Sequence, residues 1–546
     1  MGQAESPKGG NARGPMTGIR RRDVLRTFGG TVLAAAAAGT LVDACSSSSS
    51  SSAATSASAS AGSPSKVINV VIPADPPALD PVKYNAHEIE RVYRQVTEQL
   101  YQWNANKTIT PLLASAMPTV SADGLTYTVP LRSGITFHNG KPFDSSDVKY
   151  TYEQILKPAN GSIWLAALGL VDSVSAPDPR TVVVKLKAPY TPLLSSMALI
   201  PIVPSNVAYT PTVYARSLIG TGPFKFVDWA QGVSIQLTRN RQYWQAGLPK
   251  SAGITFSIVA TDASQIADLA SNTDQLIAEV SARDVSVLRS HGATMFVEDE
   301  SSIIDYMYPN LGPGKFTANV NARLAIAWAI NRGQVIQQVF AGIGNPESTL
   351  PVHGAEFYDA ALGGYFGTSP DVAKAKSYLA KAGGPPSKPL DIVVLSDDIT
   401  NPTAAIVQQN LKAVGIPAVI TSLGETAALA RLFAQNYDLF LLDVLAQEST
   451  GFGSYIAYLA TYPGAFANFN KFSNPEMTRL ATQAVTVTSS AAQAAAWKAV
   501  QEAWLTMMPQ ILICSSRYIE AASSGLRGYQ PTGLAQLENL KYASVA

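Results

Sequence analysis

Cysteine is nearly absent: the 546 residues hold two, Cys45 and Cys514. Two thiols cannot staple a disulfide scaffold or build a cysteine zinc site. A surplus of either charge is missing as well. Lys and Arg number 40 against 39 Asp and Glu, and no Lys/Arg-rich cluster follows Arg26. That balance excludes the electrostatic footprint of a nucleic-acid binder. Histidine is sparse: His87, His138, His291 and His353 lie far apart, with no His-x-x-x-His pair, so nothing points to a preassembled metal site. Long apolar runs are lacking too. The longest, residues 28–42, falls short of the ~20 residues that span a bilayer. What is abundant is core material, with 47% hydrophobic residues. At ~150 residues per domain, the length suits about three domains or one large two-lobed body.

The first 65 residues differ in kind from the rest. Arg20-Arg21-Arg22-Asp23-Val24-Leu25-Arg26 resembles a twin-arginine export signal, and the apolar stretch after it has signal-peptide proportions. It ends Leu41-Val42-Asp43-Ala44-Cys45, which resembles a lipoprotein lipobox; Val42 and Ala44 fit and Asp43 departs from the pattern. Residues 1–44 read as a signal peptide, Cys45 as the lipidated residue, and the Ser/Ala-rich residues 45–65 as a solvated tether. Residues 1–44 carry six basic and three acidic side chains, so the remaining chain has 34 against 36, a net charge of −2. Cys514, in the apolar run Ile511-Leu512-Ile513, reads as a buried inert thiol.

Beyond residue 66 the pattern is mixed. Strands are expected over 67–72, 126–131, 181–186, 222–227, 233–237, 254–259, 388–395 and 417–420. Helical periodicity runs over 88–101, 148–156, 323–340, 371–381 and 403–414, the second opened by an Asp144 cap. Alternating strands and helices in the second half argue for α/β lobes with partly parallel sheets.

Catalytic signatures are missing. Gly312-Pro313-Gly314-Lys315 has Pro309 where a phosphate loop begins and Phe316 where Ser or Thr follows, so it is a turn. Gly451-Phe452-Gly453-Ser454 lacks the nucleophile-elbow pattern. The carboxylate pairs Asp397-Asp398 and Glu298/Glu300 read as solvated loop charges.

One block does carry a resemblance. Pro111-Leu112-Leu113-Ala114, Asp123-Gly124-Leu125-Thr126-Tyr127 and the run from Leu131 to Phe143, followed by Asp147-Val148, resemble the family 5 extracytoplasmic solute-binding proteins of ABC importers. So do Leu79-Asp80-Pro81, Gly220-Thr221-Gly222-Pro223-Phe224, Asn240 with Tyr243-Trp244, and Ala329-Ile330-Asn331-Arg332, in the family's order. Most of these look structural. His138 reads as a turn hydrogen-bonder, and Gly220 to Pro223 as backbone suited to a hinge.

The resemblance implies an α/β, two-lobed periplasmic-binding-protein type II fold (cluster C-like) with a small inserted domain. Lobe I would comprise 66–108, 216–302 and 516–546, the insert 109–215, and the third domain 303–515. It implies a monomeric receptor, not an enzyme, without cofactor or metal, that passes a peptide or other small solute to permease and ATPase subunits. It would be lipid-anchored on the outer face of the cytoplasmic membrane. The other functions weighed are an exported hydrolase and a sensor without transport. Asn85, His87, Tyr306, Asp443, Leu445, Gln447 and Glu448 are the implied ligand contacts. Peptide-binding members pair the peptide ammonium with an Asp at the end of a Tyr-Asp-…-Gly-Trp-…-Ala-Asp strand. In the matching run from Tyr437, the Trp position is Val444 and the Asp position is Gln447. Burying an ammonium without its partner costs roughly 3–5 kcal/mol. The expectation is therefore a neutral or modified solute, unless Asp443 or Glu448 supplies the charge.

Overall fold

The computed structural model describes residues 66–84, 87–106, 108–210, 212–445, 460–461, 468–532 and 536–546. The signal, Cys45, the tether, Asn85, Gln447 and Glu448 lie outside them, as do the side chains of His87 and Leu445. In chain order the first strands are β1 (Val67–Ile72), β2 (Tyr101–Trp103), β3 (Ile109–Pro111), β4 (Thr119–Val120), β5 (Thr126–Pro130), β6 (Val171–Asp178) and β7 (Thr181–Leu186). Then come β8 (Phe224–Ala230), β9 (Ser234–Arg239), β10 (Gly253–Ile258), β11 (Leu276–Ile277), β12 (Thr294–Pro309) and β13 (Gly344–Pro346). The last are β14 (Leu390–Leu395), β15 (Ala418–Leu423), β16 (Leu439–Leu445), β17 (Ile511–Ala522), β18 (Leu526–Arg527) and β19 (Ser544–Val545).

Eleven strands form one mixed sheet in the order β15-β14-β16-β12-β17-β11-β1-β10-β9-β8, with β13 on the other edge of β17. β1 with β10 and β11, and β14 with β15 and β16, are the parallel neighbours; the central β1 and β14 are Val- and Ile-rich and mostly buried, whereas β15 at the sheet edge is half-exposed. Only β12 and β17 serve both halves of this sheet. Residues 303–307 of β12 pair with 511–516 of β17 beside β16, whereas 294–297 pair with 519–522 near β11. The register shifts between Val297, Ser301 and Ile303, where one half passes into the other. An antiparallel sheet, β4-β5-β7-β6, stands apart. Helix Ser145–Ile155 packs on it, and the reciprocal bonds of Asp144 and Asp147 cap that helix as expected.

Each half of the large sheet has its own core. Ile68, Val70, Ile254 and Phe256 pack with Val92, Val96 and Leu540. Ile392, Val394, Leu439, Leu441 and Ile513 pack under helices Val320–Ala329 and Thr400–Ala413. The helix expected over 323–340 is two helices, Val320–Ala329 and Arg332–Gln338. Ile330 turns extended between them, and the Asn331 side chain accepts from Gln334 N, capping the second. The helix expected to reach residue 101 stops at Val96, because Gln99 bridges to Pro201 and Tyr101 begins β2.

Two of the family-like motifs converge on one buried carboxylate. Glu98 accepts from Thr221 Oγ1 (2.8 Å), Tyr243 OH (2.7 Å) and Trp244 Nε1 (3.0 Å). Asn240 Nδ2 and His138 Nε2 both reach Gly222 O, at 3.1 and 3.0 Å. Burial pulls the His138 pKa down to about 4, so this ring is a neutral structural bonder. The Gly220–Gly222 strap is clamped: a Cβ on Gly220 would lie 2.1 Å from Val96 O. Its glycines answer a close approach, not the looseness of a hinge.

Candidate functional site

The face that distinguishes this chain lies where β12 and β16 run side by side. Where they pair, each is an apolar stretch interrupted by one carboxylate, Ile303-Ile304-Asp305-Tyr306-Met307 and Leu441-Leu442-Asp443. The antiparallel register sets Asp305 directly opposite Asp443, and Tyr306 opposite Leu442. Directly opposed residues share a face, and successive residues alternate. The two carboxylates therefore stand together, and Tyr306 points the other way. There it is buried, its hydroxyl 2.6 Å from that of Tyr308, among Phe440 and Leu512.

Asp305 is fully buried. Its Oδ2 lies 3.6 Å from Cys514 Sγ on β17, and its Oδ1 has no hydrogen-bond partner among the described residues. Burial pushes its pKa well above the usual carboxylate range, and the charges of Asp443 and Asp397 push it further. Asp443 is partly exposed, and burial raises it to about 7. Next in effect is the charge of Asp397, followed by smaller contributions from Glu279 and Glu88. Cys514 is buried, as expected, with its thiol pKa raised by burial and by Asp305.

These acids come from both halves of the sheet. Asp397 follows β14 and accepts from Ile399 N (2.9 Å) and Thr400 N (2.6 Å) at the start of helix Thr400–Ala413. It was expected as a solvated loop charge and is a helix-end acceptor. Asp398 is exposed and pairs with Arg283, which also holds Asp262 at 2.9 Å. Glu279 follows β11 and accepts from the buried Arg91 at 2.8 Å, and Glu88 begins helix His87–Val96.

Asp443 is the one expected contact that the described side chains place among these charges. Asp305 was missed, although a lone acid inside an apolar strand is a readable signal. Among the described residues no group of three or more His, Cys, Asp or Glu is arranged to hold a metal.

The model of the bacterial extracellular solute-binding proteins, family 5, matches residues 108–466, about two thirds of the chain. The chain belongs to this family. Among its family-5 relatives, the glutathione-binding protein GsiB of Pectobacterium atrosepticum is 26% identical over 468 residues, covering 83% of this chain and 89% of the relative. The fold matches the binding protein AgaA of A. tumefaciens R10, solved with agropinic acid, with a TM-score of 0.79 and 22% identity, over 88% of this chain and 99% of that one. It also matches the oligopeptide-binding protein AppA of Bacillus subtilis, solved with a nonapeptide, with a TM-score of 0.77 and 19% identity, over 89% and 100%. The α/β two-lobed type II architecture expected from the sequence is the observed fold of this family member.

Proposed function

We propose that this family member is an extracytoplasmic receptor that encloses a peptide or related small solute between its two lobes and delivers it to an ABC importer. The carrying observation is that β12 and β17 serve both halves of the large sheet, so that two separately cored bodies meet along one shared ribbon. A solute that touches both bodies only when they approach favours the closed arrangement by its differential affinity. On this reading the first lobe would comprise 66–108, 216–302 and 516–546 and the second 303–515, with 109–215 inserted. The relatives' ligands (glutathione, agropinic acid and a nonapeptide) are small peptides or polar organic acids, which supports a solute of that size.

Cys45 would carry the lipid that holds the receptor on the outer face of the cytoplasmic membrane, with residues 45–65 as its leash. C45A should release the exported protein from the membrane fraction while leaving solute binding unchanged. The deciding experiment is mass spectrometry of solute co-purifying with the exported protein, followed by thermal unfolding with that solute added back. A receptor gains about 2.7 kcal/mol at a hundred times Kd. Turnover of the solute into products would instead favour the hydrolase reading.

A further inference from the structure

The Asp305–Asp443 pair has no partner of opposite charge among the described residues. Of the cations around the cluster, Arg283 is held by Asp262 and Asp398, Arg332 donates to the carbonyls of Glu347, Ala327 and Leu512, and Arg91 pairs with Glu279. Neither Asp305 nor Asp443 takes part in a salt bridge among the described residues, and Asp305 Oδ1 is buried with no donor in reach. A buried acid without counter-charge takes up a proton, as the raised pKa values of both residues show, and such acids gather where something else completes the site. A metal is a poor candidate, because the described residues assemble no ligand group for one.

Resting on the receptor reading above, we infer that the solute carries a cationic nitrogen, an ammonium or guanidinium, and that the Asp305–Asp443 pair is its seat. The seat lies four residues before Gln447, the position at which the resemblance places the acid of peptide-binding members. Asp443 is partly exposed, and the buried Asp305 stands opposite it on the neighbouring strand, a geometry suited to a donor with more than one N–H. Glu279 and Glu88, from the other half of the sheet, act on the same carboxylate. Where these acids ionise, their like charges oppose approach of the two halves, and a cation between them removes that opposition. A neutral solute would leave it in place. Of the two outcomes that Gln447 leaves open, this is the one in which Asp443 supplies the charge.

The test uses matched solutes that differ in one charge: trialanine and N-acetyl-trialanine, arginine and citrulline, spermidine and its fully acetylated form. Each is titrated calorimetrically into the exported wild-type protein, D443N and D305N. Solute released from the purified protein is identified in parallel by mass spectrometry. At least one cationic member should bind at least tenfold tighter than its neutral partner. D443N should fold and collapse that ratio towards one, with D305N reducing it less. Equal affinity for cationic and neutral partners, or a ratio unchanged in D443N, overturns the seat. Recovery of a neutral or purely anionic solute also overturns it and leaves the receptor reading standing. No released solute, together with no response to any of the six compounds, counts against the receptor reading itself.

Discussion

Glu347 shows how one side chain sets a pH response. It is fully buried, accepts from Ser515 Oγ (2.5 Å) and His353 N (2.9 Å), and burial raises its pKa to about 8 despite the nearby Arg332 charge. A carboxyl whose folded pKa exceeds its unfolded value adds stability that is complete at low pH and is lost as pH rises through the folded pKa. Wild-type unfolding free energy from urea titrations should therefore fall between about pH 5 and 8. E347Q keeps the acceptor oxygen and should flatten that decline. Glycines offer a second contrast at this scale. Gly140 needs its φ of 86° for the turn after Phe137, but a Cβ there meets nothing within 4 Å, so G140A should cost about 1–2 kcal/mol. Gly220 abuts the Val96 carbonyl, which cannot yield without shifting the end of a helix, so G220A should cost about 3 kcal/mol. Chemical denaturation ranks the two.

Among the elements, the pair of helices Val320–Ala329 and Ser490–Met507 is joined by one guanidinium. Arg323 donates to Met507 O, Met508 O, Thr317 O and Ala318 O, at 2.7–2.9 Å. R323M strands those carbonyls and should destabilise by at least about 2 kcal/mol, with R323K only a partial rescue because an ammonium lacks the fork. Unfolding midpoints of the three proteins check this. Elements with plain periodicity were readable beforehand: β1, β7, β14 and helix Val372–Lys381 fall within a residue or two of expectation. The break at Ile330-Asn331 was hidden because Asn331 interrupts an apolar run whose spacing remains helical on either side. At the site, Asp443 was readable as a charge inside an apolar strand. Its pairing with Asp305 was not, because it depends on register, which no local pattern in either strand reports.

At the scale of the whole molecule, Arg283 and Asp398 tie a segment after β11 to one after β14, and so link the two halves of the sheet. Both side chains are exposed, which limits the pair to about 0–1 kcal/mol. R283A should thus leave the unfolding midpoint almost unchanged. A bias of that size still alters a two-state ratio by up to about fivefold. The radius of gyration of the solute-free protein, measured by small-angle scattering, should rise in R283A, and in wild type at high salt.

The same shared ribbon has a consequence for synthesis. The half built on β1 also needs β17 from Ile519 onward, and Leu537 and Leu540 from the last stretch fill its core. The first strand to leave the ribosome waits for nearly the last, across more than 400 residues. The opposite half is contiguous enough to begin without it. Such long-range closure is slow to form. Until the final thirty or so residues arrive, the outer edge of β11 and the core face that Leu537 and Leu540 cover stand open, and a nascent chain stopped short would expose them.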